Sequence, residues 1–131
     1  MFKAIMARNA ACNAVIQLVD VGTDYSSAGI YLFDSTDIPL YQPDSSSPVA
    51  RLAMSSPAFL DATDGTAYSN PITDNTAIRD ATVTGFGVYN RDSTFIFGGT
   101  VSTSAADMIL NPNIIYHDQT AALTSAYYLV P

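Results

Sequence analysis

The stretch "GFGVYNRDSTFIFGGTV", residues 85–101, indicates the fold more clearly than any other part of the chain. Apolar side chains recur at alternate positions on both of its limbs, at Phe86 and Val88 and again at Phe95 and Phe97. Alternation with a period of two is the pattern of a β-strand. The intervening "NRDS" supplies turn residues, so we predict an antiparallel hairpin with a loop of three to five residues.

Four glycines lie inside these predicted strands, namely Gly85, Gly87, Gly98 and Gly99. Glycine within a strand usually marks a bulge or a close approach of two backbones. Neither "GFG" nor "GG" precedes a predicted helix, and no lysine follows at the spacing of a phosphate-binding loop. We therefore interpret these glycines as structural.

Short apolar runs separated by turn residues extend on both sides of this hairpin. The predicted strands cover residues 29–33, 49–54, 57–60, 66–70, 81–90, 93–102, 106–110 and 120–130. Residues 34–48 contain three prolines and five Ser or Thr side chains, which predict an exposed loop. Short strands at this spacing are typical of an antiparallel sandwich or jelly roll.

The chain has one clear helical signal, over residues 4–20. An apolar stripe recurs at spacings of three and four, at Ala7, Ala11, Ala14, Val15 and Leu18. Polar side chains fall largely opposite, at Asn9, Asn13, Gln17 and Asp20. Since the stripe is mostly alanine, we expect the helix to pack closely on a flat partner, either its own sheet or another subunit.

These elements predict a mainly β protein, an antiparallel β-sandwich or jelly-roll-like fold with one N-terminal α-helix. We expect a single domain over residues 1–131, with an arm and helix at 1–22 and the sandwich at 23–131.

Composition disfavours several classes of partner. The chain has twelve Asp, no Glu, one Lys and four Arg, which give a net charge of −7. It therefore has too few basic residues to displace counterions from nucleic acid or anionic membranes. No run approaches the roughly 18 apolar residues of a membrane span. Cys12 is the only cysteine, which excludes an intrachain disulfide. We expect a soluble protein made in a reducing cytoplasm.

Residues able to perform catalysis are sparse. His117 is the only histidine, and no G-x-S-x-G turn presents a serine nucleophile. A partial calcium loop at Asp61, Asp64 and Gly65 lacks the acidic spacing of an EF-hand, and turn capping is the simpler interpretation. We therefore expect no enzymatic activity, no cofactor and no metal. The eight tyrosines could form core, subunit contacts or a sugar-binding platform.

Five segments together resemble one group of proteins: "ARNAACNAVIQLVDVG" (7–22), "VARLAMSSPAF" (49–59), "YSNPITDNTA" (68–77), "GFGVYNRDSTFIFGGTVSTSAADMILN" (85–111) and "ALTSAYYLV" (122–130). They are similar to small virion structural proteins of tailed bacteriophages, in which an Ala/Asn-rich helix precedes a sandwich that ends in a glycine-rich hairpin. The chain departs from that pattern where Ser93 replaces a turn glycine and where "STSAAD" replaces "GTSGAD".

The resemblance implies a capsid cement (decoration) protein that is assembled in the host cytoplasm and binds the major capsid protein on the virion surface. It also implies self-association as a homodimer or homotrimer. We expect the N-terminal segment and loop 34–48, both irregular and outside the predicted core, to contact the capsid or another subunit. The expected contact residues are Met1, Phe2, Lys3, Arg8, Ile38, Pro39, Leu40 and Tyr41. A neck, tail or head-fibre component, including a receptor- or glycan-binding appendage, remains the alternative.

Overall fold

The computed structural model describes residues 4–35, 37–39, 48–104, 106–110, 112–121 and 127–129. These residues form one helix and eleven strands. The helix α1 spans Ile5–Val19, and the strands are β1 (Gly29–Phe33), β2 (Ala50–Ala53), β3 (Thr66–Tyr68), β4 (Asn75–Thr76), β5 (Ala81–Thr82), β6 (Gly85–Tyr89), β7 (Phe95–Ser102), β8 (Met108–Ile109), β9 (Ile114–Ile115), β10 (Thr120–Ala121) and β11 (Tyr127–Leu129).

The largest sheet has five strands in the order β2-β1-β6-β7-β8. Its β6–β7 pair is the hairpin predicted from residues 85–101, with a register shift between Val88 and Tyr89. The pairs β1–β2 and β1–β6 are also antiparallel, whereas β8 runs parallel to β7. The predicted close approach at glycine occurs in the hairpin, where a Cβ on Gly98 would collide with the carbonyl oxygen of Phe86 on the facing strand.

Ser93 ends the turn of this hairpin with a left-handed backbone, at a φ of 61°. A non-glycine residue rarely adopts this conformation, because its Cβ crowds the backbone. The Ser93 side chain is buried, and its Oγ lies 3.3 Å from the hydroxyl oxygen of Tyr31. The position therefore requires the backbone geometry that glycine adopts most easily, and the serine adds a buried hydrogen bond there.

The same turn holds the segment that leaves α1. The carboxylate of Asp92 accepts the backbone N–H groups of Thr23 and Asp24, at 2.8 and 3.1 Å. These two hydrogen bonds lower the pKa of Asp92. Gly22, at a φ of 125°, lies so close to Asp92 that a Cβ would collide with it. The hairpin turn thus fixes the position of the chain between the helix and β1.

The other strands form short antiparallel pairs. The pairs β4–β10 and β5–β9 share one register, so residues 75–82 and 114–121 act as a single interrupted ribbon. The third pair, β3–β11, is extended by a bridge between Phe59 and Ser69. The chain is therefore mainly β with antiparallel sheets and one helix in its described part, as the sequence predicts.

The strands differ from the prediction in four respects. The predicted strand 57–60 is reduced to an isolated bridge at Phe59. The predicted strand 81–90 is two strands, β5 and β6, which belong to different sheets. The predicted strand 120–130 likewise contains β10 and β11, which pair with different partners. The short strands β4 and β9 have no predicted counterpart, because two polar or two apolar residues carry no periodicity.

Two clusters of buried side chains hold these elements together. The larger one joins α1 to the strands, and its fully buried members include Ile30, Leu32, Leu52 and Val83. The smaller one is aromatic and consists of Tyr31, Phe33 and Tyr89, with Ile38 and Phe95 packed against it.

The orientation of α1 excludes one of the two partners predicted for its alanine stripe, namely its own sheet. The helix buries Cys12, Ile16 and Val19, while the predicted stripe residues Ala7, Ala11, Ala14 and Leu18 are exposed and Val15 is half-buried. Large apolar side chains gain more than alanine from leaving water, so the face that carries them turns inward. Asn9, Asn13 and Asp20 flank this inner face and are half-buried, contrary to their expected solvent position.

Candidate interaction site

A row of three exposed apolar side chains crosses neighbouring strands, and we call it the tyrosine row. It consists of Leu60, Tyr68 and Tyr127, which are 56%, 57% and 62% exposed. Tyr68 and Tyr127 are direct partners in the β3–β11 pair, and their ring centroids are 6.0 Å apart. The backbone N–H of Leu60 donates to the carbonyl of Tyr68 at 2.8 Å. Side chains directly opposite in antiparallel strands share a face, so these three form one surface.

The register of these strands places alternate side chains inside the protein. Ala67 and Phe59 are buried, and Tyr128 is half-buried. The ring of Phe97 lies between Phe59 and Tyr128, at centroid distances of 6.3 and 4.8 Å. This inner packing fixes the outward orientation of the tyrosine row, because a one-residue slip would bury Tyr68 and expose Ala67.

Three polar side chains fasten α1 to residues 58–65. The Oδ1 atoms of Asn9, Asn13 and Asp20 accept the backbone N–H groups of Gly65, Ala62 and Ala58, at 2.8, 2.8 and 2.9 Å. Each N–H lies outside the regular strands, and an unpaired buried donor is costly. The helix thus satisfies the backbone that leads into the tyrosine row.

The opposite side of α1 forms a second exposed surface, which we call the helix ridge. It consists of Met6, Ala10, Ala14 and Leu18, spaced four residues apart along the helix. All four are exposed, Met6 by 82% and Leu18 by 51%. No side chain on the ridge carries a charge.

The structure describes three of the eight predicted contact residues, namely Arg8, Ile38 and Pro39. Met1, Phe2, Lys3, Leu40 and Tyr41 lie outside the described residues. Arg8 belongs to the first turns of α1 and is half-buried, and its Nε is buried without a hydrogen-bond partner among the residues the structure describes.

Ile38 and Pro39 are each partly covered by the protein. Ile38 is half-buried and packs against the aromatic cluster, and Pro39 is half-buried as well. The hydroxyl of Tyr89 donates to the carbonyl oxygen of Pro39. Burial, with a smaller contribution from Tyr31, raises the pKa of Tyr89 to about 12. Ile38 gains free energy by covering aromatic side chains, and both residues are less exposed than the loop composition predicts.

Arg79 joins the two ends of loop 34–48. Its Nη2 lies 3.3 Å from the carboxylate of Asp34, and its Nη1 donates to the carbonyl of Pro48 at 3.1 Å. The planar guanidinium can serve both acceptors at once. The described ends of the loop are therefore anchored to the body of the protein by Arg79 and Tyr89.

The residues that the sequence offers for metal binding or nucleophilic catalysis lie in a tight turn or in the core. Asp64 and Gly65 have φ angles of 53° and 76° and join Thr63 to Thr66 as a tight two-residue turn. Within the described ranges, no three His, Cys or Asp residues are placed to hold a metal ion. Burial raises the pKa of Cys12, which disfavours its reactive thiolate.

His117 lies on an exposed turn. Its Nδ1 is 3.4 Å from the carboxylate of Asp118, and its backbone N–H donates to Asp80 at 2.7 Å. Both side chains are more than 60% exposed, so solvent screens their interaction.

A shallow cleft of about 180 Å³ lies beside the β9 and β10 strands. Its lining is aliphatic, with Gln119 and Thr120 as the polar members. A glycan-binding appendage would present a concave site lined by Tyr, Asp or Asn, and this cleft contains none of them. Across the described part of the chain, no helix combines the length and hydrophobicity needed to cross a bilayer.

The described residues form a mainly β protein whose surface includes two rows of exposed apolar side chains. Comparison with protein-family models, with curated proteins and with solved structures finds no match. The resemblance to phage virion proteins therefore rests on sequence motifs alone.

Sequence periodicity alone does not place either surface on the outside of the protein. The alternation of Ala67 with Tyr68 suggests one outward side chain, but pairing with Tyr127, 59 residues later, depends on strand register. The helix ridge is visible as an apolar pattern, and only packing decides which of two apolar faces is turned inward.

Proposed function

We propose that this chain is a structural protein of a tailed-phage virion, of the capsid cement type, which binds the outer capsid lattice and stabilises the head. In this proposal the major sheet and the shorter strand pairs pack as the two layers of a sandwich. The protein acts by holding surfaces together and requires no catalytic group or cofactor.

The tyrosine row is the observation that carries this proposal. Exposed tyrosines that lie side by side on a rigid sheet are favourable contact residues, since they bury a large area and lose little side-chain entropy. Their positions are fixed from beneath by Phe59 and Phe97. A protein of net charge −7 that exposes an uncharged aromatic row is suited to a packed contact with a larger assembly.

Repeated binding makes such a modest contact sufficient. A cement protein meets the same lattice many times, and each additional contact is intramolecular once the first has formed. We propose that the N-terminal segment and loop 34–48 supply further contacts. The anchoring of Pro39 and Asp34 supports this role for the loop, because a root fixed to the sheet limits the entropy lost on binding.

The exposed tyrosine pair also favours one alternative, a glycan-binding appendage on a head fibre or tail. Tyrosine rings bind sugars by stacking on their apolar faces, and Tyr68 and Tyr127 are both accessible. The two rings are tilted by 48°, however, so they do not form one flat platform for a single sugar ring.

The proposal is tested by adding the purified protein to phage heads that lack it. Tyr68→Ser with Tyr127→Ser should reduce occupancy of the heads by at least about tenfold, as loss of two buried aromatic contacts would. The matched control is Tyr116→Ser, which removes an equally exposed tyrosine at the end of β9, away from the tyrosine row. Equal occupancy of the heads by both variants and the wild type would reject the tyrosine row as the contact, and binding of the wild type to polysaccharide instead of heads would favour the appendage.

A further inference from the structure

We propose that the helix ridge pairs with the same ridge of a second copy of this chain, across a twofold axis at which the two α1 helices cross near their middles. This deepens the proposed function by naming the occupant of one surface. It rests on the proposed function only in placing the contact on the virion, because the pairing itself is a property of the isolated protein.

The spacing of the ridge suits helix packing. Met6, Ala10, Ala14 and Leu18 form a single row with a period of four. Rows of this kind pack into the grooves of a second helix at an angle of about −50°, the commonest class in globular proteins. The flanking positions Ala7 and Ala11 are also exposed and small, so they leave a shallow groove beside the row.

The order of side-chain sizes suits a crossing. Alanines occupy the middle of the ridge, and Met6 and Leu18 occupy its ends. Two crossing helices are closest at the crossing point and diverge on either side, so small residues are needed at the centre and long ones fill the ends. In an antiparallel pair centred on residue 12, Met6 is level with Leu18 of the other copy and Ala10 with Ala14. The ridge is therefore complementary to itself, as a twofold interface requires.

The distribution of charge permits a second copy at this face. The chain carries a net charge of −7, so two copies repel through most of their surfaces. The ridge and its flanking alanines carry no charge, which makes this face a place where two copies can meet without like charges in contact. A basic partner would instead be bound best through the aspartates, none of which lies on the ridge.

The contact between the two ridges is small, so we expect its affinity to be low. A crossing of two single helices buries much less than the roughly 800 Å² per partner of a stable interface, so we expect a weak, transient dimer in dilute solution. Copies held side by side on a surface experience effective concentrations in the range of about 1 mM, at which such a contact forms.

Sedimentation velocity of the intact protein, from about 10 µM to about 1 mM, tests the pairing. We expect a reversible monomer–dimer equilibrium that Ala14→Glu and Ala14→Lys each weaken at least about tenfold. Both residues are good helix formers, so α1 should persist. Ser104→Glu, on an exposed loop, adds the same charge as Ala14→Glu away from the helix and should leave the equilibrium unchanged.

A monomer at every concentration would overturn the inference, as would a dimer that both Ala14 variants retain. If general repulsion alone limited association, Ala14→Lys would strengthen the dimer, which also contradicts a packed ridge.

The antiparallel geometry has a test of its own, in which Ala10→Cys and Ala14→Cys proteins are mixed under oxidising conditions. An antiparallel crossing predicts an excess of the mixed disulfide, whereas an excess of both homodimers would reject it. Failure of these tests would leave head binding by the tyrosine row intact, because that binding is measured separately.

Discussion

The side-chain Oδ1 of Asn13 accepts the backbone N–H of Ala62 at 2.8 Å, across 49 residues of sequence. With the equivalent bonds of Asn9 and Asp20, it joins the N-terminal helix to the segment that precedes β3. Hydrogen bonds to these polar side chains therefore help to attach the helix, together with the buried side chains of Cys12, Ile16 and Val19.

Replacing Asn13 tests this attachment. Asn13→Ala should lower the free energy of unfolding by about 1–2 kcal/mol, because the gain in helix propensity is smaller than the cost of leaving the Ala62 N–H unpaired. Urea denaturation measures the change. Gln17→Ala, at an exposed position of the same helix, should match or slightly exceed the wild type. Equal stability of the Asn13→Ala and Gln17→Ala variants would show that the bond contributes nothing.

Ser93 provides a test of backbone strain. Ser93→Gly should change the free energy of unfolding by less than about 1 kcal/mol, because relief of the left-handed backbone offsets loss of the hydrogen bond to Tyr31. Ser93→Val should cost about 2–3 kcal/mol, since a β-branched residue is strongly disfavoured at positive φ. Thermal unfolding of the two variants decides the matter, and a valine variant as stable as the glycine variant would refute the assigned turn.

The raised pKa of Tyr89 makes stability sensitive to alkaline pH. Because Tyr89 has a pKa of about 12 in the folded protein and about 10 when unfolded, the native state binds more protons between these values. Its contribution to stability is complete below pH 10 and is lost as pH rises towards 12. Unfolding free energy measured across this range should fall less steeply in Tyr89→Phe than in the wild type. Parallel curves for the two proteins would contradict the assignment.

Arg79 is expected to control the order of the loop ends. Arg79→Met removes both the ion pair with Asp34 and the hydrogen bond to Pro48. Hydrogen exchange in peptides covering residues 32–35 and 48–50 should accelerate by roughly three- to tenfold, the effect of losing about 1 kcal/mol. Arg79→Lys keeps the charge without the planar fork, and we expect an intermediate rate. Unchanged exchange in Arg79→Met would mean that other contacts hold the loop ends.

The sequence predicts the elements that carry a strong periodic pattern and fails where tertiary packing decides. The β6–β7 hairpin, β1 and the extent of α1 follow from local alternation, helical spacing and turn residues. The inward face of α1 does not follow from the spacing, because alanines on one face and Ile16 on another both fit a helical period. They differ greatly in the apolar area that they bury, and this area decides which face turns inward. The strands β4 and β9 exist only through their partners in the interrupted ribbon.

The candidate surfaces were harder to predict than the fold for the same reason. Tyr68, Tyr127 and Tyr128 are chemically alike, and only the register of β3 and β11 separates two exposed rings from a half-buried one. Ile38 and Pro39 were predicted to be surface contacts on the basis of loop composition, which carries no information about the aromatic cluster beneath them.

The copy number of this chain in purified particles, measured by quantitative mass spectrometry against the major capsid protein, tests the central claim most directly. A cement protein repeats with the symmetric lattice it covers, so we predict about one copy for every one to three capsid subunits. A total of roughly a dozen copies or fewer would match the symmetry of a neck, tail or fibre and would contradict the assignment to the capsid surface.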